Sequence, residues 1–171
     1  DQPPFAIAGT RSGQLRPAVG GGVVVWSDDR RGNWDIFGFD LLSRREFVVT
    51  ARPGDQLWPA VSGGVVVWAD ERDGEWDIYG KDLAAGEEFA ISTAPGGQTA
   101  PSIGGRVVAW EDSRAGRARY DIYGYDLDRR AEFVVTAAAD YQLRPAVAGD
   151  LIVWEDYRAG ERDLWAFDRR A

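Results

Sequence analysis

The 171-residue chain has no cysteine, no histidine and no methionine, and Lys81 is the one lysine among its 20 basic residues. Without Cys or His there is no disulfide framework, no Cys/His zinc site, no thiolate nucleophile, no imidazole base and no Ser-His-Asp triad. With no Met, Asp1 is expected to be left by processing or trimming, and no basic segment followed by an apolar stretch stands at the N-terminus. No apolar run approaches the roughly 18 residues of a membrane span, and the longer ones, such as Gly22 to Trp26, are strand-sized. Basic residues are also outnumbered: 28 Asp and Glu give a net charge of −8, the wrong sign for a phosphate-backbone binder. Nucleic acid is therefore not an expected partner.

What the chain has in abundance is turn residues and large aromatics: 21 Gly, 8 Pro and 8 Trp. They recur with a period. Gln14, Gln56, Gln98 and Gln142 each stand three residues before a Pro, at spacings of 42, 42 and 44. Trp26, Trp68, Trp110 and Trp154 follow in register, and then the Asp, Arg, Gly and Asp positions that start at Asp28, Arg30, Gly32 and Asp35. The two extra residues of the third unit fall within Arg117 to Tyr120, which marks a loop tip. Each unit holds β-branched and aromatic runs, as in Val23 to Trp26, Asp35 to Asp40 and Phe47 to Thr50, and a short strand is expected to begin at Pro17. Windows of a dozen residues are all broken by Gly, Pro or a β-branched cluster, which excludes helix in practice.

Four strands in about 42 residues is the arithmetic of one propeller blade. The sequence therefore predicts an all-β, four-bladed β-propeller with four antiparallel strands per blade, as a single domain over residues 1–171 with repeats starting near 14, 56, 98 and 142. The fourth unit stops at Ala171, before its last strand, while Phe5 to Ala8 lies 42 residues ahead of Phe47 in matching register. Residues 5–8 are thus expected to complete the last blade and to close the ring.

Residues 23–41, with Gln14 and Pro17 before them and Phe47 to Thr50 after them, resemble the TolB-like propeller repeats of prokaryotic secreted and envelope proteins. The resemblance runs through all four units. It implies an extracytoplasmic location, secreted, periplasmic or at the cell surface, and a binding or spacer role. Better-known members have six or more blades, so two chains joining into an eight-bladed ring stands beside closure of one chain.

Four sets of residues are candidate sites. Asp28, Arg30 and Asp35, with Asp70, Arg72 and Asp77, Asp112, Arg114 and Asp121, and Asp156, Arg158 and Asp163, bracket the turn between the second and third strands. They have the oxygen-rich look of a Ca²⁺ loop, but an Arg in the middle of each set fills the space of a cation and forks between carboxylates, so a structural ion-pair staple without metal is the expectation. Trp34, Trp76 and Tyr120, with Asn33, stand near the hairpin tips and are candidate contacts for a protein partner or a sugar ring, or else cation-π cover. Gln14, Gln56, Gln98 and Gln142 are candidates for a ring of amides at one end of an axial channel, or for satisfying backbone groups between blades. Asp40, Asp82, Asp126 and Asp168 read as turn initiators. No cofactor is called for, and no Gly-x-Ser-x-Gly context or carboxylate pair stands apart from the repeat. A non-catalytic binding or scaffold propeller engaging protein is the leading expectation, with self-association open; a carbohydrate-binding propeller is the alternative, and a glycoside-cleaving enzyme stands behind both.

Overall fold

The computed structural model describes residues 3–116 and 119–170, so Arg117 and Ala118 of the third unit's insertion lie outside the described residues. Fifteen strands form four antiparallel sheets in chain order. Sheet 1 is β1 (Gln14–Gly20), β2 (Val23–Asp28), β3 (Asp35–Asp40) and β4 (Arg45–Thr50). Sheet 2 is β5 (Gln56–Ser62), β6 (Val65–Asp70), β7 (Asp77–Asp82) and β8 (Glu88–Ser92); sheet 3 is β9 (Gln98–Gly104), β10 (Val107–Asp112), β11 (Asp121–Asp126) and β12 (Ala131–Thr136). Sheet 4 has three strands among the described residues: β13 (Gln142–Ala148), β14 (Leu151–Asp156) and β15 (Asp163–Asp168). No helix among the described residues is long and apolar enough to cross a membrane.

The first strand of each sheet is longer than expected. It begins at the Gln, and the Pro expected to open it lies inside, at a β-bulge between Leu15 and Ala18 in sheet 1 and at the matching place in the others. Pro cannot donate to a ladder, and the bulge removes the need for it to do so. The residue before each Pro takes a left-handed φ: 54° at Arg16, 53° at Trp58, 49° at Ala100 and 54° at Arg144. A non-glycine residue is strained there, and more so before Pro, so the same cost recurs in all four sheets.

Consecutive sheets stack face to face through three apolar seams. Val23, Val25, Ile36 and Val49 of sheet 1 meet Val61, Val66 and Trp68 of sheet 2. The next seam sets Val65, Val67, Ala69 and Ile78 against Ile103, Val108 and Trp110. In the third, Val107, Ala109 and Ile122 meet Ile152 and Trp154. Strands β6 and β10 are apolar at successive positions because both of their faces are covered by neighbouring sheets; β2 is covered by sheet 2 on one face and in part by Ile7 and Ala8 on the other. Close approach fixes the inner strands. A Cβ on Gly20 would lie 2.5 Å from the Val61 carbonyl oxygen, and one on Gly104 would lie 2.5 Å from that of Val147.

The expected closure is corrected. Residues 5–8 form no strand and do not complete sheet 4; Ile7 and Ala8 pack on Val24, Trp26, Phe37 and Phe39, the face of sheet 1 turned away from sheet 2. Among the described residues no apolar cluster joins sheet 4 to sheet 1. The segment has the register of an outer strand in the sequence, but it packs on sheet 1 at the other end of the stack from β15. Gly104→Val should destabilise the fold by about 1–3 kcal/mol through overpacking against the Val147 backbone. Chemical denaturation checks this, and an unchanged midpoint would contradict the close approach.

Candidate functional site

At the start of each β-hairpin joining the second and third strands, one constellation recurs. Asp28 is fully buried; its carboxylate accepts the Trp26 indole N–H (3.1 Å), the Arg30 backbone N–H (3.0 Å) and the Arg30 guanidinium (2.6 Å). The same bonds tie Asp70 to Trp68 and Arg72, Asp112 to Trp110 and Arg114, and Asp156 to Trp154 and Arg158. Each guanidinium also lies over an aromatic ring of the third strand: Phe37 at 4.1 Å, Tyr79 at 4.0 Å, Tyr123 at 3.9 Å and Trp165 at 3.9 Å. Burial by itself pushes the carboxyls of Asp28 and Asp156 up in pKa, but the Arg and Trp hydrogen bonds override it and hold both well below the usual carboxylate range.

The second carboxylate of the fork is not the one expected. Asp35 stands directly across the ladder from Asp28, yet Arg30 reaches instead to Glu46 of β4 at 2.5 Å. Arg72 likewise joins Asp70 to Glu88, and Arg114 joins Asp112 to Glu132. Arg158 pairs with Asp156 and donates to the Thr136 hydroxyl of sheet 3. The other Asp positions go separate ways. Asp35 lies 4.0 Å from Arg31, Asp121 pairs with Arg119 at 3.1 Å, and Asp163 is exposed. Asp77 is buried, and desolvation, with Asp73, Asp70 and Glu75 nearby, pushes its carboxyl up to about 6. Among the described residues no three Asp or Glu gather as a metal site.

The glutamines serve their own loops. Gln56 donates to the carbonyls of Arg52, Pro53 and Gly54, Gln98 to those of Ala94 and Gly96, and Gln142 to those of Ala139 and Asp140; all three are fully buried. Gln14 is exposed and donates to Thr10 and Ser12. Their N–H₂ groups are bound to loop oxygens, so of the two readings the hydrogen bonds match the one in which each glutamine satisfies nearby backbone groups, within its own loop, and not an amide ring around a channel. Asp40, Asp82, Asp126 and Asp168 accept backbone N–H groups two to three residues onward, as turn initiators do.

Trp34, Trp76 and Tyr120 lie half-buried against the following sheet, and the hairpin tips do not expose them fully. Their carbonyls accept the backbone N–H of Gln56 (2.6 Å), Gln98 (2.6 Å) and Gln142 (2.8 Å), so each residue bridges a seam. Asn33 donates to Asp35 and to the carbonyls of Arg52 and Gly54. Trp76 meets Trp58 edge to face at 5.3 Å, with Arg16 over Trp58 at 4.6 Å, so three residues from two repeat positions of sheets 1 and 2 form one half-exposed aromatic and cationic cluster. Trp58 and Arg16 escaped sequence reasoning; their signal is that the pre-proline position varies (Arg16, Trp58, Ala100, Arg144) while its neighbours repeat.

Two glutamates were missed as well. Glu111 and Glu155 stand where sheets 1 and 2 carry Ser27 and Ala69. Glu111 accepts the Arg144 backbone N–H at 2.8 Å, and desolvation pushes its carboxyl pKa up; Glu155 lies 3.3 Å from Arg144 and 3.5 Å from Arg162. The pair is braced by Arg144 between sheets 3 and 4.

No protein-family model and no curated protein matches the chain. Solved structures do. TolB from Acinetobacter baumannii superposes with a TM-score of 0.77 at 18% identity, covering 96% of this chain and 43% of that one. A putative TolB from Agrobacterium tumefaciens gives 0.71 at 21% identity, over 87% and 58%. A puromycin-hydrolyzing peptidase from Mycobacterium tuberculosis gives 0.71 at 13% identity, over 96% and 28%. The chain thus spans about half the length of these proteins or less, and the likeness is one of fold.

Two outcomes follow from the electrostatics. Arg72→Leu strands the buried Asp70 and should cost about 3 kcal/mol, whereas Arg129→Leu, at an exposed pair, should cost under about 1 kcal/mol; equal midpoint shifts in urea would contradict the role of Arg72. The Asp77 carboxyl is raised in the fold, so its contribution is favourable at low pH and is lost as pH rises toward and through about 6. Asp77→Asn should therefore melt above the parent at neutral pH, with the gap narrowing as the pH falls to 4. A gap independent of pH would contradict that reading.

Proposed function

Starting from a TolB-like propeller fold, we propose that this protein is a non-catalytic, extracytoplasmic binding or scaffold module that engages a protein partner through the hairpin end of its sheets. The carrying observation is the cluster of Arg16, Trp58 and Trp76. Arg16 and Trp58 are set on strained bulges that every sheet repeats, where sheets 3 and 4 present Ala100 and Arg144. Rigid aromatics beside an Arg are the side chains that dominate protein-binding surfaces. Trp34, Asn33 and Tyr120 extend the same end of the stack.

The location rests on the resemblance of the repeat, and the absence of catalysis rests on the chemistry. The carboxylates best placed to act, Glu111 and Glu155, are committed to Arg144 and Arg162. The paired indoles also suit a carbohydrate, and this second reading shares the surface. Trp58→Ala combined with Trp76→Ala should abolish retention of envelope proteins on the immobilised domain while the far-UV spectrum at the assay temperature stays that of the folded protein, with a lowered melt because both rings pack on the seam between sheets 2 and 3, and a glycan array should show no binding. Unchanged retention would overturn the proposed surface, and a sugar signal lost in the double variant would replace protein by glycan.

A further inference from the structure

The stack has two unlike ends, and each is one half of a seam that the chain itself builds three times. Ile36, Ile78 and Ile122 are 0% exposed because each is covered by the next sheet; Leu164, at the same position of sheet 4, is 83% exposed. Leu151, Val153 and Ala166 share its face, which no sheet covers. At the other end, Val61 and Ile103 are each 8% exposed against the preceding sheet, and Val19 at their position in sheet 1 is 69% exposed. Beside it opens an apolar cleft of about 170 Å³ lined by Ile7, Leu15, Pro17, Val24 and Trp26. In the seam between sheets 1 and 2, Val23, Val25 and Ile36 fill the corresponding place. Leu151, Val153 and Leu164 are their counterparts on sheet 4.

The edges match too. Sheet 4 lacks an outer strand among the described residues. Phe5 to Ala8 has the sequence register of that strand. It already lies on sheet 1 where the outer strand of a preceding sheet would lie, with Ile7 against Trp26 and Phe37 as Val49 is against Trp68 and Tyr79. One adjustment is visible. Ala166 stands where Gly38, Gly80 and Gly124 leave room for a phenylalanine ring, and the Phe5 ring is held away under Arg44 at 4.3 Å.

We propose that the open face of sheet 4 docks on the Val19 face of sheet 1 in a second copy of this chain, head to tail, with residues 5–8 of that copy completing sheet 4, so that two chains close a ring of eight sheets. The occupant is a second copy because the two faces are the halves of a seam already present within the chain. A head-to-tail contact closes when its rotation completes the circle, and closure also removes the unpaired edge of β15. The inference is independent of the binding surface at the hairpin end.

Light scattering on the eluting protein tests it. The parent should run at twice 18.8 kDa. Leu164→Asp alone and Val19→Asp alone should each run at 18.8 kDa, since both residues are exposed in the single chain and the substitutions leave its fold intact. An equimolar mixture of the two should return to the double mass, because one intact face remains on each. A parent of single mass, a parent larger than two copies, either variant assembling on its own, or no recovery on mixing would overturn the proposal. If an Asp variant fails to fold, Leu164→Gln and Val19→Gln serve the same comparison.

Discussion

Covering both faces of the two inner sheets by their neighbours is the constraint from which the other features follow. It makes β6 and β10 apolar without alternation, it places Trp68 and Trp110 wholly out of solvent, and it requires glycine where inner strands approach backbone to backbone. Burying an indole strands its N–H unless an acceptor is supplied. A carboxylate two residues along the strand supplies it, and burying that carboxylate in turn calls for the guanidinium that lies on the neighbouring aromatic ring. The charged constellation is thus a consequence of burying the Trp, and its recurrence in all four sheets follows from the recurrence of the seam.

This hierarchy separates scaffold from surface. The Trp, Asp, Arg and aromatic positions repeat because each copy solves the same problem. The pre-proline positions and the pair at Glu111 and Glu155 do not repeat, and no seam requires their identity. In the proposed function, variation on a repeated, strained bulge carries the binding preference, because the bulge holds whatever side chain it bears at a fixed place on the rim.

The period of 42 residues made the strands, their order and the hairpins legible, since each landmark reports a local backbone need. Arg30 was legible as an ion-pair centre, but its second partner was not. The across-ladder neighbour Asp35 was the obvious candidate, whereas the acidic residue ahead of Phe47, Phe89 and Phe133 was the signal to follow. The glutamines left two readings open because a fourfold repeat invites a fourfold ring, while each amide is consumed within its own loop as a backbone-satisfying group would be. Curvature was illegible for a deeper reason. Periodicity carries the register of Phe5 to Ala8, whereas the angle between sheets is a property of the packed seams and leaves no mark on the repeat.

The central claim is that one chain forms an open stack, strongest at its middle seams. Site-resolved amide hydrogen exchange on the single-mass Leu164→Asp chain tests it most directly. Exchange slowest in β6 and β10, with β15 exchanging far faster than its counterparts β7 and β11, is the predicted outcome. Equal protection of β15, β7 and β11 in that single chain would mean that the ring closes on itself, and would contradict the account.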